Sequence, residues 1–345
     1  MYVRGKTQES AGEVHAGDIG AVNKLAETGT GDTLTSKEHT ITLAGITFPD
    51  PTYQVAIEPK TKADTDKLGP SLARLMEEDP TIRMHRDAET GETIVSGMGD
   101  QHIEVSVERL RRKLGLELLL HTPKVAYRET VTQRAQARER FKRQTGGHGQ
   151  FGDTQLVVEP LDRGGGFVFE NQTFGGSVPR QFIPAVEKGV QEAMTEGILA
   201  GKPIVDVKVT INDGSYHTVD SSEMAFKIAS GMTFRKACEQ AHPVLLEPVV
   251  DAEIIVPEAN MGDVMSDVTG KRGKILSMEP AAEGFQRIVA QVPHAEMLRY
   301  AIDLRSITQG RGRFSVAFSH YEEVPSHVAQ QIVAEHAKEH QASHA

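Results

Sequence analysis

Two glycine-rich stretches carry the side chains best suited to contact a nucleic acid. The first, Arg140–Gly152, reads RFKRQTGGHGQFG, so three basic residues lead into a run in which glycine recurs. Glycine leaves the backbone free to adopt positive φ and lets a partner's backbone approach closely. The second, Gly214–Glu223, reads GSYHTVDSSE and adds an imidazole, a carboxylate and hydroxyl groups. We interpret the two stretches as neighbouring loops at one end of a domain, where they touch RNA.

A third stretch, Thr269–Lys274 (TGKRGK), places basic residues on a glycine-flanked turn, which favours a phosphate contact. Phosphate contacts position a protein without reading sequence, and successive loop amides can form an anion-binding nest. A single glycine-rich loop is more often only a flexible hairpin, but the basic lead-in and the second loop favour binding here. The candidate RNA-contacting residues are Lys142, Arg143, Gln144, Thr145, Gly146, Gly147, His148, Gly149, Gln150, Phe151, Gly152, Gly214, Ser215, His217, Asp220, Lys271, Arg272 and Lys274.

The second stretch also contains the residue types of a catalytic triad, namely His217, Asp220 and Ser221. A triad needs an oxyanion hole as well as a base and a nucleophile, and no such motif or nucleophile elbow accompanies these residues. We favour an exposed histidine followed by a helix whose N-cap is Asp220 or Ser221. A neutral imidazole in that position can still hydrogen-bond RNA. An enzyme that uses His217 and Asp220 is the alternative of another class.

Partial nucleotide and metal motifs occur, but none is complete. Gly5–Thr7 has only the end of the phosphate loop GxxxxGK[ST], Asn23-Lys24 lacks the aspartate of a base-reading motif, and Asp267–Gly270 is a bare DxxG. His102–Glu104 resembles the HxE of zinc deaminases without its PCxxC partner. Three histidines at helical spacing, His336, His340 and His344, fall in a terminal segment that we expect to fray. We therefore expect no catalytic residue, cofactor or metal in this chain.

Composition limits the class of binding. The 345 residues are 38% apolar and 25% charged, as in globular proteins, and the net charge of −10 argues against a uniformly basic nucleic-acid binder. With no tryptophan and 5% aromatic residues, a base-stacking platform is not expected. Cys238 is the only cysteine, and no secretory signal or membrane-length apolar run is evident, so we expect a cytoplasmic monomer without a membrane partner.

Hydrophobic periodicity divides the chain into α+β domains. Residues 49–122 follow the order βαββαβ of the ferredoxin-like split βαβ unit, and residues 247–325 repeat that order. Residues 123–246 between them have strands and two helices and hold both glycine-rich stretches. Residues 1–48 have short alternating segments at Tyr2–Thr7 and Gly12–Leu25, which we interpret as the end of a β-barrel domain. Residues 326–345 are predicted to form a terminal helix or tail.

Several strings in this order resemble translation elongation factor G. They are Gly17–Asp32 (GDIGAVNKLAETGTGD), Val55–Asp64 (VAIEPKTKAD), Gly97–Glu104 (GMGDQHIE), Tyr127–Thr130 (YRET), Gln144–Gly152, Ile183–Val186 (IPAV), Gly214–Glu223 and Leu245–Pro248 (LLEP). The resemblance covers nearly the whole chain and weakens over its last residues. It implies a remnant of β-barrel domain II followed by domains III, IV and V, with the GTPase domain outside this chain.

The resemblance also implies a function and partners. Domain IV would reach the small-subunit decoding region of the ribosome beside tRNA and mRNA, with His217 at the family's tip histidine, and Thr269–Lys274 would approach large-subunit ribosomal RNA. The complete protein would be a ribosome-dependent GTPase that uses GTP and Mg²⁺ to drive translocation. Phe151, where the family usually has tyrosine, and His148 are more similar to elongation-factor-G-like paralogues. Ribosome recycling or ribosome protection therefore stays open, as does a stand-alone RNA-binding module.

Overall fold

A computed structural model describes residues 1–144 and 149–343 of the chain, with side chains as far as Lys338. The chain divides into two compact units, residues 1–87 with 92–122 and residues 88–91 with 123–345, each with its own sheets. The described residues combine helices with four sheets, so the predicted α+β class is confirmed. No helix in this described part is long and apolar enough to cross a membrane.

The N-terminal segment contains one hairpin and no closed barrel. Strands β1 (Tyr2–Arg4) and β2 (Thr7–Glu9) pair around Gly5, which has φ 60°, and the described residues 10–52 contain no helix or strand. The strand expected within Gly12–Leu25 is therefore wrong. Isolated two-stranded hairpins are marginal in water because a strand needs neighbours and a covered apolar face. Apolar side chains of the segment are accordingly exposed, among them Val14, Ile19, Val22, Leu34, Ile41, Leu43 and Ile46.

The rest of the first unit has the predicted ferredoxin-like arrangement. Its elements are β3 (Tyr53–Pro59), α1 (Lys62–Glu78), β4 (Arg83–Arg86), β5 (Thr93–Gly97), α2 (Asp100–Leu114) and β6 (Leu118–His121). The antiparallel sheet has the order β4-β5-β3-β6, and apolar side chains including Val55, Ile57, Leu75 and Leu110 form its core with the helices. His102 serves this fold, since its Nδ1 accepts the Met98 amide and its Nε2 lies 2.9 Å from Asp79 Oδ2.

A four-stranded sheet carries both glycine-rich stretches in the second unit. The chain forms β7 (Arg128–Val131), β8 (Ala135–Arg143), β9 (Gln150–Pro160), β10 (Phe167–Asn171), α3 (Ile183–Glu196), β11 (Val207–Ser215) and α4 (Glu223–Gln240). The sheet order is β10-β11-β9-β8, with β10 and β11 parallel. Phe182 stacks on Phe226 at 4.8 Å between ring centroids, and both belong to the core of this domain with Leu156 and Ile211. Gly189 lets the helices approach, because a Cβ there would lie 2.2 Å from the Lys227 carbonyl oxygen.

One long strand continues into the last domain. Strand β12 (Pro243–Pro257) is followed by α5 (Met261–Gly270), β13 (Lys274–Pro280), β14 (Phe285–Pro293), α6 (His294–Met297), α7 (Tyr300–Thr308), β15 (Arg313–Glu323) and α8 (Ser326–Ser343). The order β13-β14-β12-β15 repeats the ferredoxin-like arrangement, and β7 joins the same sheet through β12. The domain boundary expected between 246 and 247 thus falls inside a continuous strand. Val328 and Ile332 of α8 pack against Leu245.

Candidate nucleic-acid interface

Sheet topology brings the two glycine-rich stretches to the same end of one sheet. Strands β8 and β9 are antiparallel, with Arg143 opposite Gln150, and the chain between these two residues is the first loop. Strands β9 and β11 are also antiparallel, and Ser215 at the end of β11 lies opposite Asp153 near the start of β9. The second loop, which follows Ser215, therefore emerges beside the first. Thr145, Gly146, Gly147 and His148 lie outside the described residues.

Asp220 and Ser221 join the two loops. The Gly149 amide donates to Asp220 Oδ1 at 3.0 Å, and the Phe151 amide donates to the Asp220 carbonyl at 2.8 Å. Ser221 Oγ donates to the Phe151 carbonyl at 3.0 Å and accepts the His217 amide at 2.9 Å. A Cβ on Gly149 would lie 2.9 Å from Asp220 Cγ, so a larger residue here would have to displace this carboxylate. These bonds join the described end of the first loop, Gly149–Phe151, to the second loop.

The predicted N-cap of helix α4 is wrong by one or two residues. Ser222 is the N-cap, and its hydroxyl accepts the Ala225 amide at 3.2 Å. Asp220 and Ser221 have suitable side chains for this position, but both are already bonded to the first loop. Local sequence shows three consecutive capping residue types and cannot show which of them a distant strand will occupy.

The imidazole of His217 has a defined orientation. Its Nδ1 accepts the backbone amides of Val219 at 3.3 Å and Asp220 at 3.1 Å, which assigns the neutral ring proton to Nε2. The side chain is 53% exposed, and Nε2 has no hydrogen-bond partner among residues 1–144 and 149–343. Ser221 contacts the His217 main chain, and its hydroxyl proton is directed to Phe151, so the hydroxyl is not activated by the ring. Asp220 Oδ2 lies 3.4 Å from Nδ1, but the Ser221 hydroxyl does not bond the ring. The geometry therefore supports a hydrogen-bond donor at Nε2 and does not support a nucleophilic triad.

Positive charge is concentrated at the loop end of strand β8. Lys142 and Arg143 are exposed, and neither has an ion-pair partner in the part of the chain that the structure describes. Arg140, two residues before Lys142, has its guanidinium carbon 5.7 Å from the centroid of the Phe151 ring. One of its guanidinium nitrogens lies 3.4 Å from Asp153 Oδ2. Arg138, further from the loops, is also paired with Asp153. The cations of strand β8 that remain available to a partner are therefore Lys142 and Arg143 at its loop end.

Asp153 is a buried carboxylate behind the first loop that the sequence analysis missed. It is 1% exposed, accepts two hydrogen bonds of 3.0 Å from Arg138, and accepts Ser215 Oγ at 2.6 Å. Burial opposes its ionisation, but hydrogen bonds from Arg138 and Ser215 and the charges of Arg138 and Arg140 outweigh burial and lower the pKa of Asp153. The signal available in the sequence was the alternation of Arg138, Arg140 and Lys142, which places three cations on one strand face.

The remaining candidates of the two loops differ in accessibility. Gln144 and Gln150 are exposed, whereas Phe151 and Ser215 are partly buried. Gly152 and Gly214 are buried at packing positions: a Cβ would lie 2.6 Å from the Ala225 carbonyl oxygen or 2.4 Å from the Asp153 carbonyl oxygen, respectively. These two glycines therefore shape the loops, and the exposed groups are left to make contacts.

The basic turn after helix α5 is largely neutralised inside the protein. Lys271 Nζ lies 2.8 Å from Asp267 and 3.1 Å from Asp303, and Arg272 binds Glu247 through two nitrogens and Glu296 through a third. Their side chains are only 19% and 26% exposed, and the hydrogen bond with Glu247 is the main reason that the pKa of Arg272 is raised. Lys274 is exposed. Of these ion pairs, the sequence could indicate only the one between Asp267 and Lys271, because the two residues are four apart at the end of a predicted helix.

The order of domains along the chain and the two joined loops define a multidomain α+β protein with a two-loop tip, and comparisons identify its family. The family model for elongation factor G domain III matches residues 48–122, that for domain IV matches residues 123–242, and that for the elongation factor G C-terminus matches residues 244–332. Together they span most of the chain. The chain belongs to the elongation factor G family, whose proteins act in translation at the ribosome.

A solved structure supports this assignment. A crystal structure of a protein from Thermus thermophilus is similar, with 43% sequence identity and a TM-score of 0.73 over 85% of this chain. The matched region covers 44% of that protein, so this chain spans less than half of the length of its structural relative.

Proposed function

We propose that this chain is the ribosome-contacting part of a translocase, which in its complete form couples GTP hydrolysis to the movement of tRNA and mRNA. The observation that carries the proposal is the hydrogen-bonded pair of loops at the end of the β8–β11 sheet, with Asp220 between them. Because Asp220 and Ser221 hold the second loop against Gly149–Phe151, this part of the tip loses little entropy when it docks. It therefore suits a tip that must fit a defined site on the ribosome.

The chemistry of the tip suits RNA. Lys142 and Arg143 can bind phosphates, and the Nε2 hydrogen of His217 can be donated to a phosphate, a 2′-hydroxyl or a base. These groups bind without breaking a covalent bond. GTP and Mg²⁺ would be held by the GTPase domain of the complete protein, so the role of this chain is contact and positioning in the decoding region.

Lys274 is the better candidate for a contact with large-subunit ribosomal RNA in the last domain. Lys271 and Arg272 are engaged with carboxylates of their own domain, whereas the Lys274 side chain is exposed. We therefore assign to Lys271 and Arg272 a role in shaping the turn that presents Lys274.

Binding of the 345-residue chain to vacant ribosomes tests the proposal. Replacing Lys142 and Arg143 by alanine should weaken binding about tenfold or more and should reduce the slope of log affinity against log salt by about 1.5, because two phosphate contacts no longer release counterions. The matched control is Arg163→Ala with Lys188→Ala, which removes two exposed cations that belong to neither loop; Arg163 lies beyond the opposite end of β9, and Lys188 lies in helix α3. Equal effects of the two double variants would contradict the proposal.

A second candidate within translation is ribosome recycling or ribosome protection. It is favoured by Phe151, which stands where tyrosine is usual in the family and packs beneath Arg140. Measuring translocation and subunit splitting with the complete protein separates the two functions. A protein that splits ribosomes but does not move tRNA would support the second candidate.

A further inference from the structure

A third loop lies at the same end of the sheet as the two glycine-rich loops. Residues 172–179 follow strand β10, which runs parallel to β11, and the Gln172 amide continues the ladder by donating to the Ile211 carbonyl at 2.8 Å. Because parallel strands end at the same edge, this loop emerges beside the second loop. Val178 fixes the placement, since its Cγ2 lies 2.5 Å from where a Cβ on Gly214 would be.

Phe174 in this third loop is 92% exposed, more than any other aromatic side chain among the described residues. Removing such a ring from water is favourable, so a fold normally gives it a partner. The next residues, Gly175 and Gly176, have φ of 65° and 75° and nothing within 4 Å of a Cβ position. The space around these two glycines is therefore open, and the Phe174 ring itself is exposed to solvent.

The loop that carries Phe174 is held in place from both sides. Asn171 Oδ1 accepts the Thr173 amide at 3.0 Å and the Thr173 hydroxyl at 2.8 Å. The Ser177 amide donates to the Phe174 carbonyl at 3.3 Å, and Val178 is buried. An exposed ring on a fixed backbone can stack on a planar partner with little loss of conformational entropy.

A second ring lies at the same edge. Tyr216 directly follows β11, the neighbour of β10, and is 46% exposed. His217 comes next in the chain. Although aromatic residues make up only 5% of the sequence, exposed rings follow two adjacent strands at this edge of the sheet.

We propose that Phe174 is a stacking residue for an unpaired nucleobase of single-stranded RNA. The inference rests on the proposed RNA contact of the neighbouring loops and extends it to a loop that has no basic residue between Gln172 and Pro179. RNA is favoured over a protein partner because the residues that flank Phe174 in its loop are polar or glycine, whereas an aromatic anchor of a protein interface lies among well-packed neighbours that exclude water. A base needs only an open ring face.

The absence of tryptophan from the sequence provides a direct test. In Phe174→Trp the indole is the only tryptophan, and its fluorescence should be quenched by a twelve-residue oligoadenylate at low salt, but much less by an RNA duplex of equal length. The control is Phe318→Trp, whose position in strand β15 is 62% exposed in the last domain. No quenching at position 174, or equal quenching at both positions, would overturn the inference.

Affinity measurements separate this inference from the proposed function. Phe174→Ala and Phe174→Leu should each weaken binding of the oligoadenylate and of ribosomes about five- to tenfold, whereas Phe174→Tyr should bind like wild type. The salt slope should stay unchanged, because stacking releases no counterions. If the Lys142 and Arg143 double variant binds weakly while Phe174→Ala binds normally, the proposed function stands and this inference fails. If Phe174→Ala weakens binding to ribosomes but not to oligoadenylate, the ring contacts a ribosomal surface other than an unpaired base, and the inference is likewise wrong.

Discussion

Asp220 holds three parts of the tip at once. Its carboxylate accepts the Gly149 amide, its carbonyl accepts the Phe151 amide, and its own amide donates to His217 Nδ1. The two main-chain bonds are independent of side-chain type. Because Asp220 Oδ2 also lies 3.4 Å from His217 Nδ1, substitution at this position removes the carboxylate link between the loops and one neighbour of the imidazole, while both main-chain bonds stay.

Replacing Asp220 by alanine should loosen the first loop without unfolding its domain. One charge-assisted hydrogen bond is lost, so we expect ribosome binding to weaken roughly fivefold and exchange of the Gly149 amide hydrogen to accelerate. Hydrogen-exchange mass spectrometry and a binding assay measure the two effects. Asp220→Asn keeps an acceptor and should behave almost like wild type, and Asp162→Ala controls for the loss of an exposed acid. Unchanged exchange in Asp220→Ala would show that the carboxylate does not hold the loop.

Asp153 should make the stability of its domain depend on pH. The folded state lowers the pKa of this carboxyl below its ordinary value of about 3.9, so the stabilisation is present above that value and is lost as the pH falls through the folded pKa. Asp153→Asn should reduce the free energy of unfolding at pH 7 by about 1–3 kcal/mol. Urea titrations at pH 7 and pH 3 should show that the difference between variant and wild type shrinks in acid. A constant difference would mean that the aspartate is not ionised in the folded protein.

At the scale of elements, buried carboxylates that are far from a loop in the sequence fix the conformation of that loop. Glu129 on strand β7 accepts the amides of Ile198, Leu199, Ala200 and Lys202, and so fixes the loop after helix α3. Glu247 on strand β12 does the same for the basic turn after α5 by binding Arg272. Both carboxylates are buried. The hydrogen bonds that each accepts from the protein replace the bonds to water that it loses on burial.

Arg272→Ala should destabilise the last domain. It leaves Glu247, whose side chain is 4% exposed, without its partner in a buried site, so we expect a loss of about 3–5 kcal/mol in the free energy of unfolding. Lys274→Ala removes the same charge from an exposed position and should change stability by less than about 0.5 kcal/mol. Chemical denaturation of both variants gives the comparison. Equal stabilities would contradict the structural role of Arg272 and would return it to the set of RNA contacts.

At the scale of the molecule, strand β12 makes the second unit continuous. Its first residues pair with β7, and its later residues pair with β14 and β15. The β8–β11 sheet that carries the loops is therefore joined to the last domain by two chain connections, from β7 to β8 and from α4 to β12, and β7 and β12 are paired with each other. This agrees with the positioning role in our proposal, because an element that reaches into a ribosomal site must not bend at its base.

The net negative charge of the chain does not prevent its basic tip from attracting RNA. The net charge of −10 belongs to the whole sequence, while the exposed cations Lys142 and Arg143 lie at the end of one strand. Other basic residues of the sheet are matched by acids, such as Arg134 with Glu159 and Lys208 with Glu170. An acidic body limits non-specific binding to RNA, and the tip keeps local attraction.

The sequence by itself determined the two ferredoxin-like domains, the position of the glycine-rich loops within the domain between them, and the elongation factor G family. Strand and helix periodicities are local properties, and a βαββαβ order leaves few ways to bury its apolar faces. Ordered motifs along the chain carried the family assignment.

Only the tertiary structure decided which charged and capping residues remain free. Lys271 and Arg272 looked available until Glu247, Glu296 and Asp303 were brought to them. Ser222 became the N-cap because its two predecessors bind the first loop, and Phe174 joined the tip because β10 runs parallel to β11. A hydrogen bond or ion pair depends on distance in space, which residues far apart in the chain acquire only when the sheets form.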